Sequence, residues 1–304
     1  MPKQNKLADL GEFGLIRNFQ KQIKVSRSVV KGIGDDAAVL SLTAKQHLLL
    51  TTDMLMENVH FKRSHSPEAV GHKAMACNIS DIAAMGGMPQ YAVVSLGISG
   101  KTSVSYVNQL YRGMQRTARK FGVSIVGGDT IRSKKTIINV ALTGVVDKQK
   151  LVMRSGAKVG DQIFVTGPLG CSYATNHHLK FMPRLFEAQF LVKQCRVNAM
   201  IDISDGLAAD LGHILKASGV GAIIDKQLIP RRDHATINEA LYDGEDFELL
   251  FTLSKSEARK LLSQKNKRYP FYMIGEITPN TKGFMIREKH GILKKVLVKG
   301  YRHF

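Results

Sequence analysis

Long hydrophobic runs, paired cysteines and negative charge are all scarce in this chain. No apolar stretch approaches the roughly 20 residues of a membrane helix, which excludes an α-helical membrane protein by this criterion. The opening MPKQNKLADLGEFG lacks the apolar centre of a signal peptide, so a cytosolic protein with no membrane partner is expected. Cys77, Cys171 and Cys195 have no paired metal-ligand spacing, and an odd number suits a reducing compartment better than a disulfide framework. They read as packing residues. Twenty-five Asp and Glu stand against 44 Lys and Arg, a formal charge of +19. Charge of that sign fits nucleic acid, an anionic surface or phosphorylated small molecules. The basic clusters KSEARK, QKNKR and LKKVLVKG lack aromatic interleaving and zinc-finger spacing, so they read as solvated surface and no specific nucleic acid is expected. The familiar phosphate cradles are missing as well. There is no GxxxxGK followed by Ser or Thr, no kinase HRD or DFG set, and no GxGxxG between strand and helix.

What is present is enough apolar material, 44% of 304 residues, for two ordinary domains with cores. HLLLTTD reads as a strand, and Ser66 and Pro67 as the cap and first position of a helix that runs to Gly86 and Gly87. YAVVSLGIS is a second strand. Ser103 can cap a helix with Val107, Leu110, Tyr111, Met114, Ala118 and Phe121 at helical spacing. SIVGGDT and TIINVALTGVV complete a first half, and GDQIFVTG opens a second. That half continues with a helix from Leu207 to Lys216, the strands GAIIDK and FELLFTL, the helix SKSEARKLLS and a terminal strand pair. The expected fold is α+β, two domains of residues 1–148 and 149–304, each a mixed sheet covered by helices.

Aspartate is concentrated. Seven of the 15 sit in five short motifs, GIGDD, TTD, NISD, GGD and DISD. Asp35 and Asp36 follow a glycine turn, Asp53 ends the strand HLLLTT, Asp81 lies one helical turn after Asn78, and Asp129 ends a strand after Gly127 and Gly128. Asp202 and Asp205 flank Ser204 at the start of a helix, where hydroxyl and N–H groups can meet an anion. Any single motif reads equally as a helix cap or a turn. Together, carboxylates that repel one another unless a cation intervenes, with Thr51 and Thr52 hydroxyls beside them and no His or Cys cluster, select a hard cation such as Mg²⁺. Magnesium in turn implies phosphates, and phosphoryl transfer can run on positioning and charge neutralisation alone.

In that order and across nearly the whole chain, GIGDDAAVL, TTDMLMENVHF, GHKAMACNISDIAAMGGMP, GGDT, RSGAKVGD, DISDGLAADLGHI, GEDFELLFT and GYRHF strongly resemble the thiamine-monophosphate kinase family. That family is grouped with the aminoimidazole ribotide synthetases and selenophosphate synthetases. The resemblance implies a two-domain ATP-binding fold that dimerises through its N-terminal domain. It also implies transfer of the ATP γ-phosphoryl group to thiamine monophosphate with several Mg²⁺ ions. By family position the metal ligands are Asp36, Thr51, Thr52, Asp53, Asp81, Asp129, Asp202 and Asp205, with Asp35 organising the turn. Arg154, Gly128, Asp129 and Ser204 would meet ATP, and Tyr111 would lie near the nucleotide, although its helical stripe fits packing equally well. His60 and Glu245 would contact the substrate, while Asp243, Asp246 and Glu248 read as surface or support. No residue is assigned as a general base, because the acceptor is already an anionic phosphate.

Two departures stand out. The segment between GPLG and DISDG is shorter than the family's helical insert, which points to an altered substrate lid. Val298 stands where members often carry an aromatic against the substrate, so weaker stacking is expected. Selenophosphate synthetase is disfavoured because residues 1 to 50 contain no cysteine. An aminoimidazole ribotide synthetase would share the metal frame. A basic nucleic-acid binder would explain the charge but leave the ordered aspartates unexplained.

Overall fold

A computed structural model describes residues 7–264 and 269–301. The last three residues of the closing GYRHF motif lie outside the described residues. The first half of the chain runs through α1 (Leu7–Gln22), β1 (Val29–Lys31), β2 (Ala38–Ser41), β3 (Gln46–Met56), α2 (Pro67–Ala84), β4 (Met88–Ile98), α3 (Val104–Lys120), β5 (Ser124–Arg132) and β6 (Ile137–Asp147). The second contains β7 (Gln162–Val165), α4 (Leu185–Gln194), β8 (Val197–Asp202), α5 (Leu207–Ser218), β9 (Val220–Asp225), α6 (Ile237–Tyr242), β10 (Leu249–Leu253), α7 (Lys255–Leu262), β11 (Tyr272–Pro279), β12 (Phe284–Arg287) and β13 (Leu293–Lys295). Strands β1 to β6 form one sheet in the order β1-β2-β3-β6-β4-β5, and β7 to β13 a second in the order β13-β12-β9-β11-β7-β10-β8. Pairing is antiparallel except between β4 and β5, which α3 connects as a crossover, and between β12 and β9.

In the first sheet, burial alternates along the strands, since successive side chains point to opposite faces. Along β3, Leu49, Thr51 and Leu55 turn inward while Leu50, Thr52 and Met54 turn out. The inward face is covered by α2. This helix is buried nearly all round, including Lys73, Asn78 and Ser80, because α3, α4 and β8 pack on its other sides. One apolar core therefore runs from Val94, Leu142 and Ile79 to Leu185, Phe164 and Phe251 in the second half of the chain. A separate core under α5 fills the opposite face of the second sheet with Ile163, Ile201, Leu211 and Leu250. With both faces covered, β10 is buried at every position.

The Ser103 hydroxyl caps α3 by accepting the Tyr106 N–H at 3.2 Å. Ser66 occupies the cap position of α2 but makes no side-chain cap bond; Pro67 supplies the helix start by its fixed φ alone. The three cysteines are buried and unpaired. Among the described residues no helix is long and apolar enough to cross a membrane.

Where α2 crosses α3 the two backbones meet. A Cβ on Gly71 would fall 2.0 Å from the Leu110 carbonyl oxygen, and one on Gly113 2.0 Å from that of Glu68. Gly71→Ala should force the helices apart and destabilise the protein by about 1–3 kcal/mol. A thermal melt should show a midpoint lowered by several degrees; an unchanged midpoint would mean the crossing opens freely.

Candidate active site

The site is assembled where β3, α2 and the end of β8 converge. Asp81 extends from α2 and its Oδ2 accepts the Thr51 hydroxyl of β3 at 2.5 Å; the same hydroxyl lies 3.2 Å from the Asp36 carbonyl oxygen. One turn earlier on α2, Asn78 accepts the Asp53 N–H at 3.1 Å and donates to the Ala74 carbonyl at 3.1 Å. Between them Ser80 donates to Asp202 Oδ2 at 2.6 Å. Asp36, from the turn between β1 and β2, has its Oδ1 gripped by Arg154 through Nε at 3.2 Å and Nη2 at 2.6 Å. Asp35 is held apart in that turn, where its Oδ1 accepts the Arg154 backbone N–H at 3.1 Å.

These bonds bring one oxygen each of Asp36, Asp81 and Asp202 within 4.8 Å of one another. The electrostatic consequence is severe. Burial, followed by the Asp36 charge, pushes Asp202 up to about 8. Burial and the carboxylates of Asp53, Asp202 and Asp36 hold Asp81 well above the usual carboxylate range. Asp53 rises to about 6 from burial and the nearby Glu245, and Asp35 to about 6 from burial and Asp36. Asp36 Oδ2 is buried without a hydrogen-bond partner. Three converging carboxylates, an orphaned oxygen among them and no nitrogen or sulfur donor, fit a hard divalent cation.

The other expected ligands sit elsewhere. Asp53 is in mid-strand, not at a strand end, since β3 continues to Met56; it faces Lys73 and Glu245 as well as the carboxylate group. Asp202 closes β8, whereas the following helix begins only at Leu207. Thr52 turns to the opposite face of the sheet, where its hydroxyl bonds Asn139 Oδ1 and the Val140 carbonyl oxygen at 3.1 Å each. Asp129 is exposed on the edge strand β5, which runs on to Arg132; it lies in register with Ser95. Strand alternation thus separates Thr52 and Asp129 from Asp36, Asp81 and Asp202. Asp205 belongs to another group, with Asp210 and His213 offering ligand atoms within 4.8 Å of one another. Asp210 Oδ2 also accepts the N–H groups of Asp205 and Gly206 at 3.1 Å each. The i, i+3 spacing of Asp210 and His213 in ADLGH was the available signal.

Beside Asp53, the buried Lys73 ammonium meets the Glu245 carboxylate oxygens at 2.7 and 2.6 Å and the His60 carbonyl oxygen at 3.1 Å. His60 Nδ1 accepts the Met56 N–H at 3.0 Å. Sequence reasoning missed Lys73, whose signal was a lone cation on a helix otherwise suited to burial. Ser204 contributes its carbonyl oxygen, which accepts the Glu245 N–H at 2.7 Å. Asp246 and Glu248 are buried supports: Arg232 pairs with Asp246, and Arg184 binds both Glu248 oxygens at 2.7 and 2.6 Å. Tyr111 packs against the first core. Gly128 lets β5 approach β4, since a Cβ there would fall 1.8 Å from the Val94 carbonyl oxygen. Val298 lies against Gly212 of α5, where a Cβ on the glycine would fall 2.5 Å from Val298 Cγ1.

Two family comparisons agree with this architecture. The AIR synthase related protein N-terminal domain matches residues 34–146, and the corresponding C-terminal domain matches residues 158–288. The fold and the converging carboxylates therefore define an AIR synthase related protein. The thiamine-monophosphate kinase of Aquifex aeolicus is 36% identical, over 98% of this chain and all of its own length, and that of Escherichia coli K12 is 33% identical over 97% and 98%. The solved structure of AaThiL complexed with AMPPCP and TMP superposes with a TM-score of 0.87 at 35% identity, covering 99% of this chain and 100% of its own. Within the wider class, this chain belongs to the thiamine-monophosphate kinase family.

The raised carboxylates give a signed expectation. Unfolded Asp ionises near 3.8, whereas folded Asp53 and Asp202 ionise near 6 and 8, so the metal-free fold loses stability as pH rises through that window. A divalent cation competes with those protons. The gain in thermal midpoint on adding MgCl₂ should thus be larger at pH about 8 than at pH about 6. A gain independent of pH would exclude these carboxylates as the ligands.

Proposed function

We propose that this chain transfers the γ-phosphoryl group of ATP to the phosphate of thiamine monophosphate, producing thiamine diphosphate and ADP, in the cytoplasm. The observation that carries the reading is the meeting of the buried Asp36 and Asp202 with the half-buried Asp81 in a chain whose full-length relatives are thiamine-monophosphate kinases. Asp36, Asp81 and Asp202, with Asp53 and Thr51 beside them, would hold Mg²⁺; when bound, magnesium neutralises charge on phosphate oxygens. The protein's part is preorganisation. Arg154 fixes Asp36, Thr51 fixes Asp81 and Ser80 fixes Asp202, so each carboxylate is aimed before the nucleotide arrives. An anionic phosphate acceptor requires no strong base, and the Lys73–Glu245 pair holds Glu245 where it can meet the thiamine moiety. Thr52, Gly128 and Asp129 lie on the outer face and edge strand, and Asp205 lies with Asp210 and His213, so the proposed metal site rests on Asp36, Asp81 and Asp202. The domain boundary is placed between residues 148 and 149.

The test is incubation with ATP, Mg²⁺ and thiamine monophosphate, followed by identification of thiamine diphosphate; EDTA should abolish the product. Asp81→Asn should lower kcat by about 100-fold or more while raising the metal-free melting midpoint, because it removes like-charge repulsion. Wild-type turnover in this variant would exclude Asp81 from the machinery.

A homodimer completes the proposal. The outer face of the first sheet exposes Leu50, Met54, Tyr91 and Val93, and the edge strand exposes Val126 and Ile131, an apolar surface broad enough to call for a partner. A second copy presenting the same face gives closed, self-complementary contact. Light scattering should report a dimer, and Val93→Lys should shift it to monomer. A monomeric wild type would refute this assignment.

A further inference from the structure

Two short segments far apart in the chain are locked together beside Glu245. Cys171 and Asn176 have φ of 58° and 56°, and Glu245 and Phe247 have φ of 58° and 50°, backbone that non-glycine residues hold only where their surroundings over-determine it. The determinants are visible. The Gly170 N–H reaches both Asp246 carboxylate oxygens at 3.1 and 3.2 Å, and the Ser172 hydroxyl donates to Oδ1 at 2.6 Å. His177 Nε2 lies 3.4 Å from the Asp246 carbonyl oxygen, and Phe181 stacks on Phe247 with centroids 4.0 Å apart. Tyr173 follows Ser172 and Glu245 precedes Asp246, so this clamp ties the segment that carries Tyr173 to the one that carries Glu245. Burial, followed by the charge of Glu245, raises the pKa of the Tyr173 phenol.

Tyr173 is 42% exposed, yet its ring is not free to wander. One face lies on the imidazole of His178, with centroids 4.2 Å apart and planes within 11°. His178 is fully buried, has Nδ1 3.2 Å from the Ser172 carbonyl oxygen, and meets the edge of His65 at 5.7 Å. Burial lowers its pKa to about 4, which keeps the supporting ring neutral. The Lys62 ammonium stands over the Tyr173 ring, 6.0 Å from its centroid. A ring pinned on one face by His178 and met on the other only by a long, displaceable lysine is a platform for a flatter cation that takes the place of the Lys62 ammonium.

Thiamine monophosphate carries such a group in its permanently charged thiazolium ring. Resting on the functional reading above, we propose that Tyr173 is a substrate-contact residue whose face away from His178 receives the thiazolium ring, displacing the Lys62 ammonium, while Glu245 meets the remainder of the thiamine moiety. The stacking role expected at position 298 passes to the 171–178 turn, because Val298, though 54% exposed, has no ring to offer and one of its methyl groups lies against Gly212.

Steady-state kinetics on the intact enzyme test this. Tyr173→Ala should raise the KM for thiamine monophosphate by about tenfold, leaving kcat, the KM for ATP and the melting midpoint nearly unchanged, since uniform binding is what is removed. Tyr173→Phe keeps the ring and should stay within about twofold of wild type. Calorimetric titration of thiamine monophosphate into both variants should follow the same order. An active wild type with an unchanged KM in Tyr173→Ala overturns this proposal alone, as does equal impairment by Ala and Phe. A wild type that neither binds nor phosphorylates thiamine monophosphate overturns the functional reading, and this proposal with it.

Discussion

Mutual repulsion among buried carboxylates governs the arrangement of everything around them. Asp36, Asp81 and Asp202 come from a turn, a helix and a strand end, and each is held by a different neighbour. Left uncompensated, such a group would ionise only at high cost, which the upward shifts of Asp81 and Asp202 express. A fold that tolerates this tension must be anchored by packing elsewhere. The apolar core that passes from the first sheet through α2 to α4 and the second sheet provides that anchor.

Helix α2 therefore has two tasks. Its apolar residues Met75, Ile79 and Ile82 fill the core, and its polar residues Lys73, Asn78, Ser80 and Asp81 all face partners of the site. Because Lys73, Asn78 and Ser80 are fully buried, these polar groups cannot be satisfied by water and are satisfied by one another's surroundings. Rigid satisfaction is useful for phosphoryl transfer, where catalysis rests on charges already in place. The glycine contact between α2 and α3 keeps that helix at a single depth.

Periodicity made most of the frame readable. The strand-like runs HLLLTTD and TIINVALTGVV and the helical stripe of α3 carry their own geometry, and the structure places β3, β6 and α3 there. The carboxylate motifs were readable for a different reason: Asp beside Gly, Ser or Thr in an apolar context is costly unless used. Boundaries were harder. Asp202 looks like the start of a helix in DISDG, yet it ends β8, because pairing with Leu249 on β10 extends the strand to that residue. Local propensity cannot register a partner 47 positions away. Lys73 and His213 escaped notice because their local signals, a lone cation on a helix suited to burial and an i, i+3 Asp–His pair, do not say which distant groups they meet.

Chain chemistry by itself determined the two α+β halves, the oxygen-only donor set and, through the order of its motifs, the family. Tertiary structure alone decided which donors meet. Thr51 and Thr52 are adjacent in sequence but lie on opposite faces of β3, since a pleated strand sends successive side chains in opposite directions. Val298 was drawn to α5 by a glycine that leaves room for it, while the clamp on Asp246 tied the segment that carries Tyr173 to the one that carries Glu245. Proximity of that kind arises from packing between distant segments, and a linear pattern holds no distance across the fold.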